Sequence, residues 1–263
     1  MKRLTTLCAE EKLQQAESRA WIRAHWPAPP WICAGTTTRQ GGASLPPYAC
    51  LNLSDRVGDV AETVAANRSY LIERLRLPSL PNWPRQIHGA TVIESGGRQS
   101  PQADGTYTSS KGTVCTVLTA DCLPILLCNR AGTEVAALHA GWRGLAHGII
   151  ASGLARMTAP ADQILVWLGP AISAKHYEVD VRVRNAIMTR LTGCSTAFVP
   201  TRPGHWSADL FTIARRALSE HGVYSIYGGQ HCTYSEVVSF FSHRRDGPTG
   251  RMASLIWMEP TSR

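Results

Sequence analysis

VCTVLTADCLPILLCN, residues 114–129, and EVAALHAGWRGL, residues 134–145, are the stretches that decide how this chain folds. Each carries a nearly unbroken apolar run, and the short turn 130–133 joins them. Apolar runs of this length bounded by turns predict buried strands. The first run contains Asp121 and Cys122. The second reaches His139 and then a glycine turn carrying Trp142 and Arg143. A thiol and an imidazole on buried strands are held rigidly, which is what a reactive site needs.

Working outward, strand and helix patterns interleave. Residues 31–38 predict a strand that runs into the turn Arg39-Gln40-Gly41-Gly42. A helix is predicted after Asp59, with Glu62 completing a capping box and Val64, Leu71, Ile72 and Leu75 on the apolar face. Pro78 stops it. Residues 85–93 read as strand around His88, 96–102 as loop, and Ala103-Asp104-Gly105 as turn chemistry. Helices are expected at 145–157, 179–191 and 207–221, the last capped by Ser207 or Asp209 and ended by Gly222. Strands are expected at 164–168, 224–227 and 252–258. Residues 7–26 are helix-permissive until Pro27-Ala28-Pro29-Pro30, so 1–30 read as a helical appendage and 31–263 as the main domain. The interleaving has no strict βαβ rhythm. The fold class expected is α/β (α+β-like): a single layered domain of mixed β-sheets flanked by helices.

Composition narrows the partners. At 263 residues the chain can bury a large core, and its formal charge of +8 favours anionic ligands. Arg215-Arg216 and Arg244-Arg245 are paired, but no basic run is long enough for a nucleic-acid arm, so no nucleic-acid partner is expected. The eight cysteines include no Cys-x-x-Cys pair, which suits a reducing compartment without disulfides. With no signal-peptide pattern and no apolar window near about 18 residues, cytoplasmic placement without a membrane span is expected. Oligomeric state has no signal in the sequence.

Chemistry concentrates on few side chains. Imidazole and thiolate are natural zinc ligands, and His88, Cys122 and His139 would leave a fourth position open, as catalytic sites do. The other histidines, at 25, 147, 176, 205, 221, 231 and 243, read as structural. The same residues also permit a nucleophilic pair, with Cys122 attacking and His139 as base. Asp121 could orient that base only if the strand is distorted near Pro124, because adjacent strand residues face opposite sides. Arg143, before a helix in Gly-Trp-Arg-Gly, and Arg39, in a glycine turn, are candidate phosphate ligands.

Several motifs together are recognisable: Thr37-Thr38-Arg39-Gln40-Gly41-Gly42, Leu51-Asn52-Leu53, Val57-Gly58-Asp59, Asn67-Arg68, Gln86-Ile87-His88-Gly89, Thr119-Ala120-Asp121-Cys122-Leu123-Pro124, His139-Ala140-Gly141-Trp142-Arg143-Gly144 and Phe240-Phe241-Ser242-His243-Arg244-Arg245-Asp246. With them the chain resembles, over nearly its whole length after the appendage, the family called multicopper polyphenol oxidase or laccase-like. The same family is known as YfiH and, in one bacterial branch, as peptidoglycan-editing factor. The resemblance implies a single layered domain and a zinc site at His88, Cys122 and His139. It implies phosphorolysis of adenosine, inosine and methylthioadenosine by phosphate, with adenosine deamination beside it. Older descriptions of the family give copper-dependent phenol oxidation.

Two departures stand out. Residues 171–179 read Ala-Ile-Ser-Ala-Lys-His-Tyr-Glu-Val, where a cysteine is expected before Tyr-Glu-Val, which leaves Lys175 and His176 without a role. His147 stands where a small residue is expected. The chain has no His-x-His, so four copper sites have no ligands and true laccase activity is not expected. It also lacks the His-x-Glu and Pro-Cys-x-x-Cys signature of zinc deaminases, so any deamination needs another acid–base group. The leading expectation is a zinc phosphorylase with Cys122, His139 and Arg143 as catalytic residues and Arg39 and Arg143 on phosphate. A Cys–His hydrolase of cell-wall precursors and a non-enzymatic, zinc-stabilised nucleotide-binding protein are the alternatives.

Overall fold

Two stacked sheets organise the chain, and a computed structural model describes residues 20–96 and 102–260. The larger sheet has six strands in the spatial order β12 (Ser225–Gly228), β8 (Ile164–Leu168), β6 (Leu123–Asn129), β7 (Val135–Ala140), β4 (Gly105–Thr108) and β3 (Val92–Glu94). It is mixed: β12 runs parallel to β8 and β3 parallel to β4, while the pairs between them are antiparallel. A four-stranded antiparallel sheet orders β1 (Trp21–Arg23), β2 (Ile32–Thr37), β13 (Met252–Met258) and β5 (Cys115–Thr119). A small third sheet joins β10 (Phe198–Arg202), β11 (His205–Ala208) and β9 (Glu178–Asp180).

The alternation of side chains along each strand assembles the layers. On β6 and β8, Leu126, Cys128, Leu165 and Trp167 face the smaller sheet, where they meet Ile32, Ala34, Val117 and Ile256. Their neighbours Ile125, Leu127, Val166 and Leu168 face the other way, toward helices. Those helices are α2 (Trp142–His147), α3 (Ile149–Leu154), α4 (Val181–Arg190) and α5 (Leu210–Glu220). The first helix, α1 (Ala61–Leu75), sends Leu71 to the outer face of the smaller sheet, against Leu255 and Trp257. The result is a helix–sheet–sheet–helix sandwich. Each fully buried leucine in it contributes about 1.5–3 kcal/mol relative to exposure.

The expected class, a layered domain of mixed sheets and flanking helices, is what the structure has. Several local expectations are corrected. The run 114–129 is not one strand. It bends at 120–122, so β5 belongs to the smaller sheet and β6 to the larger one. Helix 145–157 is two short helices, because Gly148 takes a left-handed conformation (φ 86°) between them. The capping box at Asp59 does not form: α1 has no side-chain cap, and Asp59 accepts instead from Val60, Ser44 and Asn52. Around His88 there is loop, with an isolated bridge at Arg85 and a strand only from Val92. The helix expected over 7–26 lies largely outside the described residues. Where it enters them, Trp21–Arg23 is a strand paired with β2. Asp209 caps α5 as expected, and Gly222 (φ 77°) follows that helix.

Candidate metal centre and active site

The bend at 120–122 exists because Asp121 takes a left-handed conformation, φ 89°. A non-glycine residue holds that conformation only when its surroundings fix it. Here the carboxylate accepts from Thr233 Oγ1 and from the Arg244 backbone N–H, both at 2.6 Å, while the Asp121 carbonyl accepts from Ile172. Asp121 therefore fastens the bend and does not orient a base. Cys122, the next residue, leaves the bend half-buried.

His139 comes from the end of β7 and is buried at 3% exposure. Its Nδ1 lies 2.8 Å from Asp104 Oδ1. Asp104 is fully buried at the mouth of β4. Its carboxylate also accepts the backbone N–H groups of Ile87, His88 and Gly89 at 3.1, 2.9 and 2.7 Å. One carboxylate thus sets the His139 ring and the loop that carries His88, whose own backbone is left-handed at φ 59°. Gln86 pins the same loop to β5: its amide donates to the Leu118 carbonyl and accepts from the Leu118 N–H. The sequence offered Asp104 only as part of a turn. Its role has no sequence signal, because both histidines it serves are remote from it along the chain.

His88, Cys122 and His139 converge. Their ligating atoms all lie within 4.8 Å of one another, and the two imidazole rings meet edge-on at 4.8 Å. Gly141 allows this approach, since a Cβ there would stand 2.8 Å from the Cys122 sulfur and 3.3 Å from His88 Nδ1. Burial opposes a charged thiolate at Cys122, but His139 and His88 outweigh it and pull the thiol down to about 6. Burial likewise opposes a charged His139, and Cys122 and Asp104 raise it. Asp104 stays ionised despite its burial because His139 and the loop N–H groups stabilise its charge. A thiolate and two imidazoles, one with its tautomer set by a carboxylate, make a donor set that suits a bound metal ion.

The three residues sit in the wall of a cavity of about 370 Å³. Arg56, Arg68, Arg251 and His243 give it a cationic lining, and Trp83 and Leu118 give it an apolar one. Arg251 is partly buried and donates Nη1 to the carbonyls of Thr249 and Gly250, so its Nε and Nη2 have no acceptor among the described residues. Arg68 lies over the Trp83 ring and gives Nε to Leu53, with Nη2 3.2 Å from Asp55. Thr119 Oγ1 is buried in the cavity wall without a hydrogen-bond partner.

The two arginines expected on phosphate stand elsewhere. The Arg39 guanidinium donates Nε and Nη2 to the Ala49 carbonyl and packs over Phe241, outside this cavity. Arg143 packs over Trp142 and lines a separate cavity. Of the departures, His176 stacks on Tyr234 and meets Ser235 Oγ at 2.9 Å, and His147 ends α2. His243, read as structural, lines the metal-centre cavity. The seven described cysteines are free, and Cys8 lies outside the described residues. No helix among the described residues is long and apolar enough to cross a membrane.

Known proteins of this build are numerous. A purine nucleoside phosphorylase of Pseudomonas aeruginosa is 44% identical over 91% of this chain and 99% of its own length. The purine nucleoside phosphorylase YfiH of Escherichia coli is 47% identical over 90% of this chain and 98% of its own. Among solved structures, Neisseria meningitidis protein NMB0706 superposes with a TM-score of 0.88 at 44% identity, covering 92% of this chain and all of that one. YlmD from Geobacillus stearothermophilus follows the same fold at a TM-score of 0.85 and 35% identity, covering 92% of this chain and 97% of that one. A family model matches residues 33–259, which take in every strand of both large sheets except β1 and the first residue of β2. Sequence and fold therefore agree, and the chain belongs to the family described as multi-copper polyphenol oxidoreductase laccase.

Proposed function

We propose that this protein is a purine nucleoside phosphorylase whose reaction runs in the cavity walled by His88, Cys122 and His139. The observation that carries the reading is the joining of a metal-type donor set and unpaired guanidinium donors in one cavity. The names of the relatives from Pseudomonas and Escherichia support it. In phosphorolysis a phosphate oxygen forms a bond to the anomeric carbon of the ribose as the bond to the purine nitrogen breaks. The purine leaves with the electron pair and takes up a proton. An anion cradle and a means of steadying the departing base are what the protein must supply.

Arg251, through its free Nε and Nη2, is the phosphate ligand, and Arg68 and Arg56 add positive charge around it. These residues take the role first expected of Arg39 and Arg143. Trp83 and Leu118 offer apolar surface to the base. His88, Cys122 and His139 hold zinc, and the ion when bound supplies a Lewis acid beside the substrate. Imidazole and thiolate also suit copper, so elemental analysis of the purified protein decides between the two metals. Adenosine, inosine and methylthioadenosine are the substrates in this reading, with adenosine deamination as a side reaction. The test is turnover of adenosine and inosine with and without phosphate, in the wild type, His88→Ala and Arg251→Ala. The reading expects ribose 1-phosphate only with phosphate present, loss of metal and turnover together in His88→Ala, and a raised KM for phosphate in Arg251→Ala. Base release that ignores phosphate would sink it.

A second reading has its own observation. Cys122, His139 and Asp104 form a chain of thiolate, imidazole and carboxylate, the arrangement of a Cys–His hydrolase. Asp104 takes the orienting place first considered for Asp121. Reaction of Cys122 with a thiol-directed inhibitor that stops hydrolysis of a cell-wall precursor, in protein that holds no metal, would favour this reading over the first.

A further inference from the structure

A second cavity, of about 470 Å³, opens beside α4 and the small sheet. Four arginines line it: Arg143, Arg182, Arg202 and Arg244. Two acids stand against them. Asp180 pairs with Arg182 at 2.7 Å, and Glu178 pairs with Arg202 at 2.9 Å. That pairing leaves the guanidinium groups of Arg143 and Arg244 without a carboxylate partner among the described residues.

Both remaining guanidinium groups are held over aromatic rings. Arg143 lies 4.6 Å from the centre of the Trp142 ring, and Arg244 lies 5.0 Å from that of Tyr177. Stacking fixes the plane of a guanidinium while its in-plane N–H groups stay available. Arg244 gives one of these, on Nη1, to the Glu178 carbonyl at 2.9 Å, and Arg143 gives none to any described residue. The Tyr177 hydroxyl also has no hydrogen-bond partner among the described residues. Burial pushes its pKa up, so it stays a neutral donor at physiological pH.

We infer that this cavity is a second ligand site, built for a phosphate monoester whose dianion is held between Arg143 and Arg244. Two guanidinium forks with no carboxylate bonded to them match a dianion in charge and in bidentate geometry. The cavity is larger than a bare phosphate needs, and Val179 and Val183 give it an apolar wall for the organic group of the ester. It shares no lining residue with the metal-centre cavity, although the charge of Cys122 reaches Tyr177 in its wall. The Gly-Trp-Arg-Gly motif thus keeps an anion-binding role, but at a different site.

The probe is AMP, titrated calorimetrically into the full chain, with inorganic phosphate, ribose 5-phosphate and adenosine as competitors. Binding is expected to weaken about tenfold in Arg143→Ala and in Arg244→Ala, the loss of one charge-assisted pair, and to vanish in Arg143→Glu. Ribose 5-phosphate and inorganic phosphate are expected to displace AMP, and the extent to which each does so separates a sugar-phosphate ligand from free phosphate. Adenosine is expected not to displace it. Circular dichroism of each variant confirms that it is folded. The inference is overturned if Arg143→Glu binds AMP as the wild type does, if AMP does not bind at all, or if adenosine competes while the phosphates do not.

Discussion

Asp104 spends two oxygens on four donors: Oδ1 takes His139 Nδ1 and the His88 N–H, and Oδ2 takes the N–H groups of Ile87 and Gly89. Replacing it by asparagine keeps the shape but turns one acceptor into a donor facing donors. Asp104→Asn is expected to lower metal affinity about 10–100-fold, as the loss of an orienting partner does, measured by competition with a chelating dye. Asp104→Ala leaves four donors without an acceptor and is expected to cost on the order of 3 kcal/mol in denaturant unfolding. The thiols offer a separate check. Burial pushes Cys33, Cys115 and Cys128 up to about 12, whereas the Cys122 thiol is drawn down to about 6. Above that value Cys122 is thiolate, and below it the thiolate is lost. In metal-free protein, iodoacetamide labelling of the Cys122 peptide is expected to rise as pH increases through about 6 and then level off. Zinc is expected to suppress it across the range. Labelling that climbs only toward pH 9 would contradict the drawn-down thiol.

At the scale of elements, Gly141 is the close fit that bears on the metal-type residues. Its backbone, at φ −69° and ψ 166°, is open to any residue. Only the space is closed, by the Cys122 sulfur and the His88 ring. Gly141→Ala is therefore expected to keep the fold by circular dichroism and to lose the metal by elemental analysis, although no ligand is changed. What the sequence made legible divides along the same line. The α5 helix was readable with its cap, because Asp209 and the apolar face Leu210, Ile213, Ala214, Ala217 and Leu218 are local signals. The apolar strands β6, β7, β8 and β13 were readable for the same reason. The break between β5 and β6 was not, because a left-handed aspartate within an apolar run carries no local mark. Its cause lies over a hundred residues away, at Thr233 and Arg244. Residue type made His88, Cys122 and His139 candidates, but their spacing alone did not select them, and the family resemblance did. Asp104 and Arg251 were missed because each acts through groups that only the fold brings near.

Across the whole molecule the candidate centre sits where the two large sheets part. Cys122 lies in the bend that leads from β5, in the smaller sheet, to β6, in the larger one. His139 belongs to the larger sheet, and the His88 loop is tied to the smaller one through Gln86 and Leu118. A ligand that binds only the folded state adds stability in proportion to its occupancy, about 4 kcal/mol at a thousandfold excess over Kd. Chelation is expected to lower Tm by on the order of 10 °C for a chain of this size, and added zinc to restore it. Cys122→Ser is expected to melt at the same temperature with and without chelator. An unchanged wild-type Tm on chelation would show that no metal joins the sheets.

The bend at Asp121 also orders events in time. Its left-handed backbone is held by residues 233 and 244, and β13, which docks β5 onto β2, comes later still in the chain. During synthesis Asp104 and Leu118 are at hand to set His88 and His139, but the bend that carries Cys122 emerges long before the segments that hold it. The bend that places Cys122 is therefore complete only once residues 233 and 244 have folded onto it, and metal loading is expected to wait for them. A chain truncated before Met252 is therefore expected to retain no metal by elemental analysis, where the full chain does.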